Sequence, residues 1–263
     1  TASLAPHAPY TVDNKSFEKI LTYAEQLGIG IHTHLHETQA EIHQSLQEYG
    51  VRPIQRLANM GILGPNLTAA HCVHLDPADM ELLADYACHV AHCPASNLKL
   101  ASGIAPVASM QAHGVNVGIG TDGAASNNRL DMLAEMRLAA MLGKGASGDA
   151  AAMPADKVLQ MATLDAAKAL GLDDKIGSVE IGKLADLAAV KLSNLETQPC
   201  YDPVSHLIYA SGREHVTHTW VAGELRYQKL NGDSGVYDGI EPAELAEIVN
   251  TWQSRLSQYR RSI

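Results

Sequence analysis

Four segments of this chain carry side chains able to hold a metal ion or move a proton. In IHTHLHET (Ile31–Thr38), His32, His34 and His36 fall on one face if the backbone stays extended, because strand side chains alternate with period two. Imidazole suits a borderline metal such as zinc, and Glu37 beside it suits proton transfer. The same three histidines would equally fill a polar barrel interior. In AAHCVHLD (Ala69–Asp76), His71 ends an apolar run, which a hydrogen-bonded structural histidine also does. In GIGTDGAASNN (Gly118–Asn128), Asp122 follows an apolar run and precedes a loop of small residues. An ionised carboxylate there needs partners, and either a metal or a helix cap built with Ser126, Asn127 and Asn128 would serve. In APHAPYT (Ala5–Thr11), prolines on both sides fix His7, for substrate contact or as a plain surface loop.

These residues stand at the ends of elements that repeat one unit. Short apolar runs at Ala2–Ala5, Ile29–Thr33, Leu67–Ala70, His89–Ala91 and Val115–Gly120 do not alternate, as expected of buried parallel strands. Amphipathic stretches separate them. Lys15–Leu27 places Phe17, Ile20, Leu21, Ala24 and Leu27 on one face, with Asp13 or Asn14 as N-cap and Gly28 as C-cap. Asp76-Pro77 opens another helix before Met80, Leu83 and Tyr86. Strands alternating with helices predict a parallel α/β sheet, in which ligands bind outside the carboxyl ends of the strands. Five units are countable; a closed barrel needs eight and a doubly wound sheet fewer. The glycine spacing of a dinucleotide-binding turn is absent. Beyond Asp122 the pattern predicts helices over Leu130–Leu142 and Pro154–Leu170, with a flexible loop at Gly143–Ala152. Strands follow at Leu184–Leu192, Val216–Ala222 and Glu224–Gln228, and a last helix over Pro242–Tyr259.

Composition bounds the partners. A formal charge of −10 over 263 residues argues against a nucleic-acid partner. No apolar run approaches the roughly 18–20 residues that span a bilayer, and no leader is read at Thr1, so a cytoplasmic location is expected. Four cysteines without a CxxC pair suggest buried, reduced thiols rather than a zinc knuckle.

The order of the segments is more specific than any one of them. HTHLHET, AAHCVH, HCPASNLKLASGIAP and GTDGAASNN resemble the ends of barrel strands five to eight in the amidohydrolase superfamily, and APHAPYT resembles the end of strand four. Gly177–Val190 (GSVEIGKLADLAAV) is similar to the superfamily's return from barrel to β-sandwich. The likeness covers nearly the whole chain and is nearest to the 5′-methylthioadenosine/S-adenosylhomocysteine deaminase group. It implies the second part of a TIM-type (β/α)8 metal-dependent hydrolase barrel over residues 1–175, a small β-sandwich segment over 176–232 and a C-terminal helical segment over 233–263. It also implies one divalent metal ion, zinc before iron or manganese, held by His34 and Asp122. Glu37 would protonate the purine ring, His71 would orient the attacking hydroxide with Asp122 sharing the proton, and His7, Glu37, Asp122 and Ser126 would contact substrate. His32, His36 and His74 are left as structural. The substrate implied is a small purine nucleoside, with no nucleic acid or membrane partner, and the assembly a homo-oligomer.

Two departures accompany the likeness. The family's strand-one HxH pair, which supplies two further metal ligands, has no counterpart ahead of His7, and no lysine ends the first strand for a carbamate bridge. The expectation is therefore a chain that begins mid-barrel, consistent with five strand units. Rival readings are an amino- or chlorohydrolase of another heterocycle (guanine, cytosine, triazine) and a non-catalytic fragment.

Overall fold

The computed structural model describes residues 2–230 and 235–257. Thr1, residues 231–234 and residues 258–263 lie outside them, among these the last two residues of the expected helix Pro242–Tyr259 and part of the expected segments 176–232 and 233–263.

Five strands, β1 (Ser3–Leu4), β2 (Gly30–Leu35), β3 (Leu67–His71), β4 (His89–His92) and β5 (Asn116–Ile119), form one sheet in the order β1-β2-β3-β4-β5. Every neighbouring pair is parallel. The spatial order follows the chain order without the reversal that defines a doubly wound sheet. The strands are short and the inner ones strongly buried: all five residues of β3 are buried, as are Ile31, Thr33 and Leu35 of β2, whereas Ser3 of β1 is exposed.

The crossovers are helical for local reasons. Asp13 caps Asn14–Leu27 by accepting the Ser16 N–H at 2.7 Å, and Gly28 ends it in the left-handed conformation. Phe17 and Ala24 point inward as expected, but Leu27 is 64% exposed. Asp76 and Asp79 make a reciprocal capping box ahead of Pro77–Asp85. The extended face predicted for the three histidines stops at Leu35: His36 adopts φ 54° and turns its ring into the core. There its Nε2 accepts the Ile54 N–H at 3.1 Å, and its Nδ1 donates to the His74 carbonyl at 3.1 Å.

The predicted loop at Gly143–Ala152 is also corrected. The helix Met132–Ser147 runs on until Gly148, at φ 68°. Gly143 lies within that helix with Met153 packed on it, where a Cβ would collide with Met153 Cγ. The helix expected over Pro154–Leu170 is two, Ala155–Ala162 and Leu164–Ala169, broken at Thr163.

The chain divides into two compact units, residues 1–183 with 192–213, and residues 184–191 with 214–263. The second holds an antiparallel sheet ordered β6 (Leu187–Val190), β7 (Val216–Val221), β8 (Glu224–Lys229), β9 (Gly235–Tyr237), followed by the helix Pro242–Ser257. Ala222 and Gly223, both at positive φ, turn β7 into β8. Strand β9 was not anticipated. No helix among the described residues is long and apolar enough to cross a membrane.

Candidate active site

Strand register assembles the site within the first unit. Leu4 pairs with Ile31, and three residues further along each chain His7 lies against His34. The His7 carbonyl accepts both the His34 backbone N–H, at 3.0 Å, and the His34 Nδ1–H, at 2.7 Å. With Nδ1 protonated, the lone pair of His34 is on Nε2. Leu35 pairs with His71, which brings the His34 and His71 rings to 5.2 Å between centroids. His7 and His34 are 5.0 Å apart, edge to face.

One ligand atom each from His34, His71 and Asp122 lies within 4.8 Å of the others. Two imidazole nitrogens and a carboxylate oxygen are the donor set of a zinc-type site. Glu37, just past β2, places its Oε2 3.8 Å from His71 Nε2, while its Oε1 accepts the Ser102 hydroxyl at 3.0 Å. Asp122 Oδ2 accepts the Ser96 and Ser126 hydroxyls at 2.7 and 2.6 Å, and Oδ1 accepts the Gly123 N–H at 2.7 Å. Burial alone would raise the Asp122 carboxyl, but the hydrogen bonds from Ser126, Ser96 and Gly123 outweigh it and hold the group below the ordinary carboxylate range. Asp122 is therefore an anion ready to bind a cation. His71 and Asp122 both sit at positive φ, 73° and 60°, backbone conformations that redirect each side chain at its strand end.

The structure thus brings His7, His34, Glu37, His71, Asp122 and Ser126 together. His74 is turned to structural work, bonded to the Ser102 carbonyl at 2.8 Å and the Gln39 amide at 2.9 Å. Residue-level reading missed four supporting groups. Ser96 and Asn97 sit in the quoted CPASN segment, yet nothing in their spacing pointed to Asp122 and His71. Glu41 accepts the His36 and Glu37 backbone N–H groups at 3.1 and 2.8 Å and so fixes the turn that carries Glu37. Glu135 joins the helical turn Pro94–Lys99 to the loop after β5 by accepting the Ala95 N–H at 3.0 Å and the Asn127 amide at 2.6 Å.

The amidohydrolase family model matches residues 1–226. The chain belongs to the amidohydrolase family. This amidohydrolase is 52% identical over 258 residues to a 5-methylthioadenosine/S-adenosylhomocysteine deaminase of Teredinibacter turnerae, covering 97% of this chain and 57% of that protein. It superposes with a TM-score of 0.93 and 44% identity on an adenosine deaminase of Xanthomonas campestris solved with bound zinc, over 97% of this chain and 57% of the other. An atrazine chlorohydrolase of Arthrobacter aurescens, complexed with zinc, gives a TM-score of 0.85 at 26% identity over 94% of this chain and 54% of that one. The amidohydrolase chain therefore spans a little over half the length of these relatives.

Proposed function

We propose that this chain is the C-terminal portion of a metal-dependent deaminase that hydrolyses an adenine nucleoside or thionucleoside (5′-methylthioadenosine, S-adenosylhomocysteine or adenosine) to the inosine-type product and ammonia. The observation that carries the reading is the convergence of His34, His71 and Asp122 with Glu37 beside them. The names borne by the relatives at 52% and 44% identity support the nucleoside over a triazine. The parallel sheet in chain order supports a barrel wall, the second part of a TIM-type barrel, with β6–β8 as part of a sandwich. A cytoplasmic, homo-oligomeric enzyme belongs to the same proposal.

His34 and Asp122 would hold a divalent metal, zinc first and iron or manganese next, with the remaining ligands assigned to the family's HxH pair that this chain lacks ahead of His7. When bound, the metal supplies the acidity that brings water toward its nucleophilic form near neutral pH. His71 accepts a hydrogen bond from the attacking water through Nε2. Glu37 donates a proton to the ring nitrogen beside the attacked carbon, so negative charge does not build up on the purine. Asp122 takes the proton of the water and returns one to the exocyclic amine. A carbon–oxygen bond forms, the carbon–nitrogen bond breaks, ammonia leaves, and the proton remaining on the new hydroxyl returns to Glu37 as the carbonyl of the product forms. His7 and Ser126 contact the nucleoside.

The test is product release by the full-length protein, loaded with zinc, offered adenosine, 5′-methylthioadenosine and S-adenosylhomocysteine beside guanine, cytosine and a chlorotriazine. Ammonia with an inosine-type product from the adenine nucleosides is expected; turnover confined to the other heterocycles would overturn the reading.

A further inference from the structure

The helical turn Pro94–Lys99 follows β4 and contributes two fully buried side chains to the site, Ser96 and Asn97. Ser96 bonds Asp122. Asn97 directs its Oδ1 at His71 Nδ1, 2.8 Å away, while its Nδ2 has no hydrogen-bond partner among the described residues, and both residues are 1% exposed. A carbonyl oxygen only accepts, so the Nδ1 facing it must carry the proton. The neutral ring then has its single lone pair on Nε2, the nitrogen that lies 3.8 Å from Glu37 Oε2. The opposite tautomer would present an N–H toward the site and could not accept a hydrogen bond there.

We propose that Asn97 is a positioning residue that selects the Nδ1–H tautomer of His71 and so keeps the Nε2 lone pair facing the reacting water. An amide suits this task because it stays neutral; a carboxylate in its place would hold the same tautomer but add a buried charge. The rigidity needed is visible around it. The Asn97 backbone N–H donates to the Cys93 carbonyl at 3.0 Å, its carbonyl accepts the Ser102 N–H at 2.9 Å, and the Ala95 N–H is tied to Glu135 at 3.0 Å. A hydrogen bond between two buried side chains, one of them on a backbone held from both sides, fixes ring orientation as well as tautomer.

The inference rests on the deaminase reading for what His71 does, but not for which nitrogen holds the proton. Ring 15N NMR of the full-length, metal-free protein reads the tautomer directly, with the His71 signals assigned by their loss in His71→Gln. The wild type is expected to show Nδ1–H. Asn97→Leu, similar in size and unable to accept, should lose that preference, and with metal restored its kcat should fall about 10–100-fold with KM little changed. Asn97→Asp should recover the tautomer and most of kcat. Nε2–H in the wild type, or Nδ1–H and unchanged kcat in Asn97→Leu, overturns the proposal. Should Asn97→Leu not fold, the wild-type tautomer and the Asn97→Asp kinetics still decide it. A protein with the expected tautomers that deaminates no adenine nucleoside would uphold Asn97 while removing the functional reading.

Discussion

Asp122 shows how a strand end is made to bind. Its left-handed backbone is unfavourable for a residue with a Cβ, by roughly 1–3 kcal/mol, and three hydrogen bonds to its carboxylate hold it there. Removing one of them leaves the ligand in place but less well aimed. Ser96→Ala is thus expected to weaken zinc binding about 10–100-fold, measured by chelator competition, with folding unaffected. Glu37 is different, because no metal donor is asked of it. Its carboxyl is held by Ser102 and faces His71. Glu37→Gln keeps the shape and the acceptor oxygen but has no proton to give. A fall in kcat of about 10²–10⁴-fold is expected with zinc content unchanged; near-normal turnover in a metal-loaded variant would remove Glu37 from the mechanism.

Strands and helices decide whether those residues meet, and β5 has little slack. Gly118 packs on the helix Leu164–Ala169, and a Cβ there would stand 2.9 Å from Ala166 Cα and 3.3 Å from its backbone nitrogen. Backbone cannot rotate aside as a side-chain tip can. Gly118→Ala should therefore cost about 1–3 kcal/mol of stability, read by denaturant unfolding, and should lower activity because β5 leads into Asp122. Much of this level was legible beforehand. The five strands were found within a few residues because runs such as Leu67–Ala70 are apolar without alternation, the pattern of a strand buried on both faces. Helix caps at Asp13, Gly28 and Asp76 were legible because capping is local chemistry. What failed was whatever distant packing decides. His36 left the strand face through one left-handed residue, and Gly143 stayed helical with Met153 packed against it. Ser96 and Asn97 reach partners 26 residues away, which no spacing rule foresees.

Across the whole molecule, buried ionisable groups of opposite kinds set how folding responds to pH. Burial pulls the His36 imidazole down to about 4, against the opposing pull of Asp79, whose charge Arg52 already engages at 2.6 Å. Burial does the same to His92, also lowered to about 4, whose Nδ1 has no hydrogen-bond partner among the described residues. For each, the unfolded chain takes up a proton near 6.5 while the folded one stays neutral to about 4. Stability is then fully present above about 6.5 and is lost as pH falls toward 4, by roughly 3 kcal/mol per group. Glu41 works the other way. Burial lifts its carboxyl to about 7, so between 4.5 and 7 the unfolded chain ionises and the folded one does not, and stability falls as pH rises. Burial also lowers the His32 and His89 imidazoles and raises the Glu135 carboxyl, so the histidines outnumber the opposing carboxyls and leave a net loss on acidification. The metal-free protein is expected to melt at progressively lower temperature as pH drops from 6.5 to 4.5, while His92→Leu, with one fewer imidazole kept neutral by the fold, should give a shallower profile over that range. A wild-type melting temperature that holds constant or rises on acidification would mean that these imidazoles are not kept neutral by the fold.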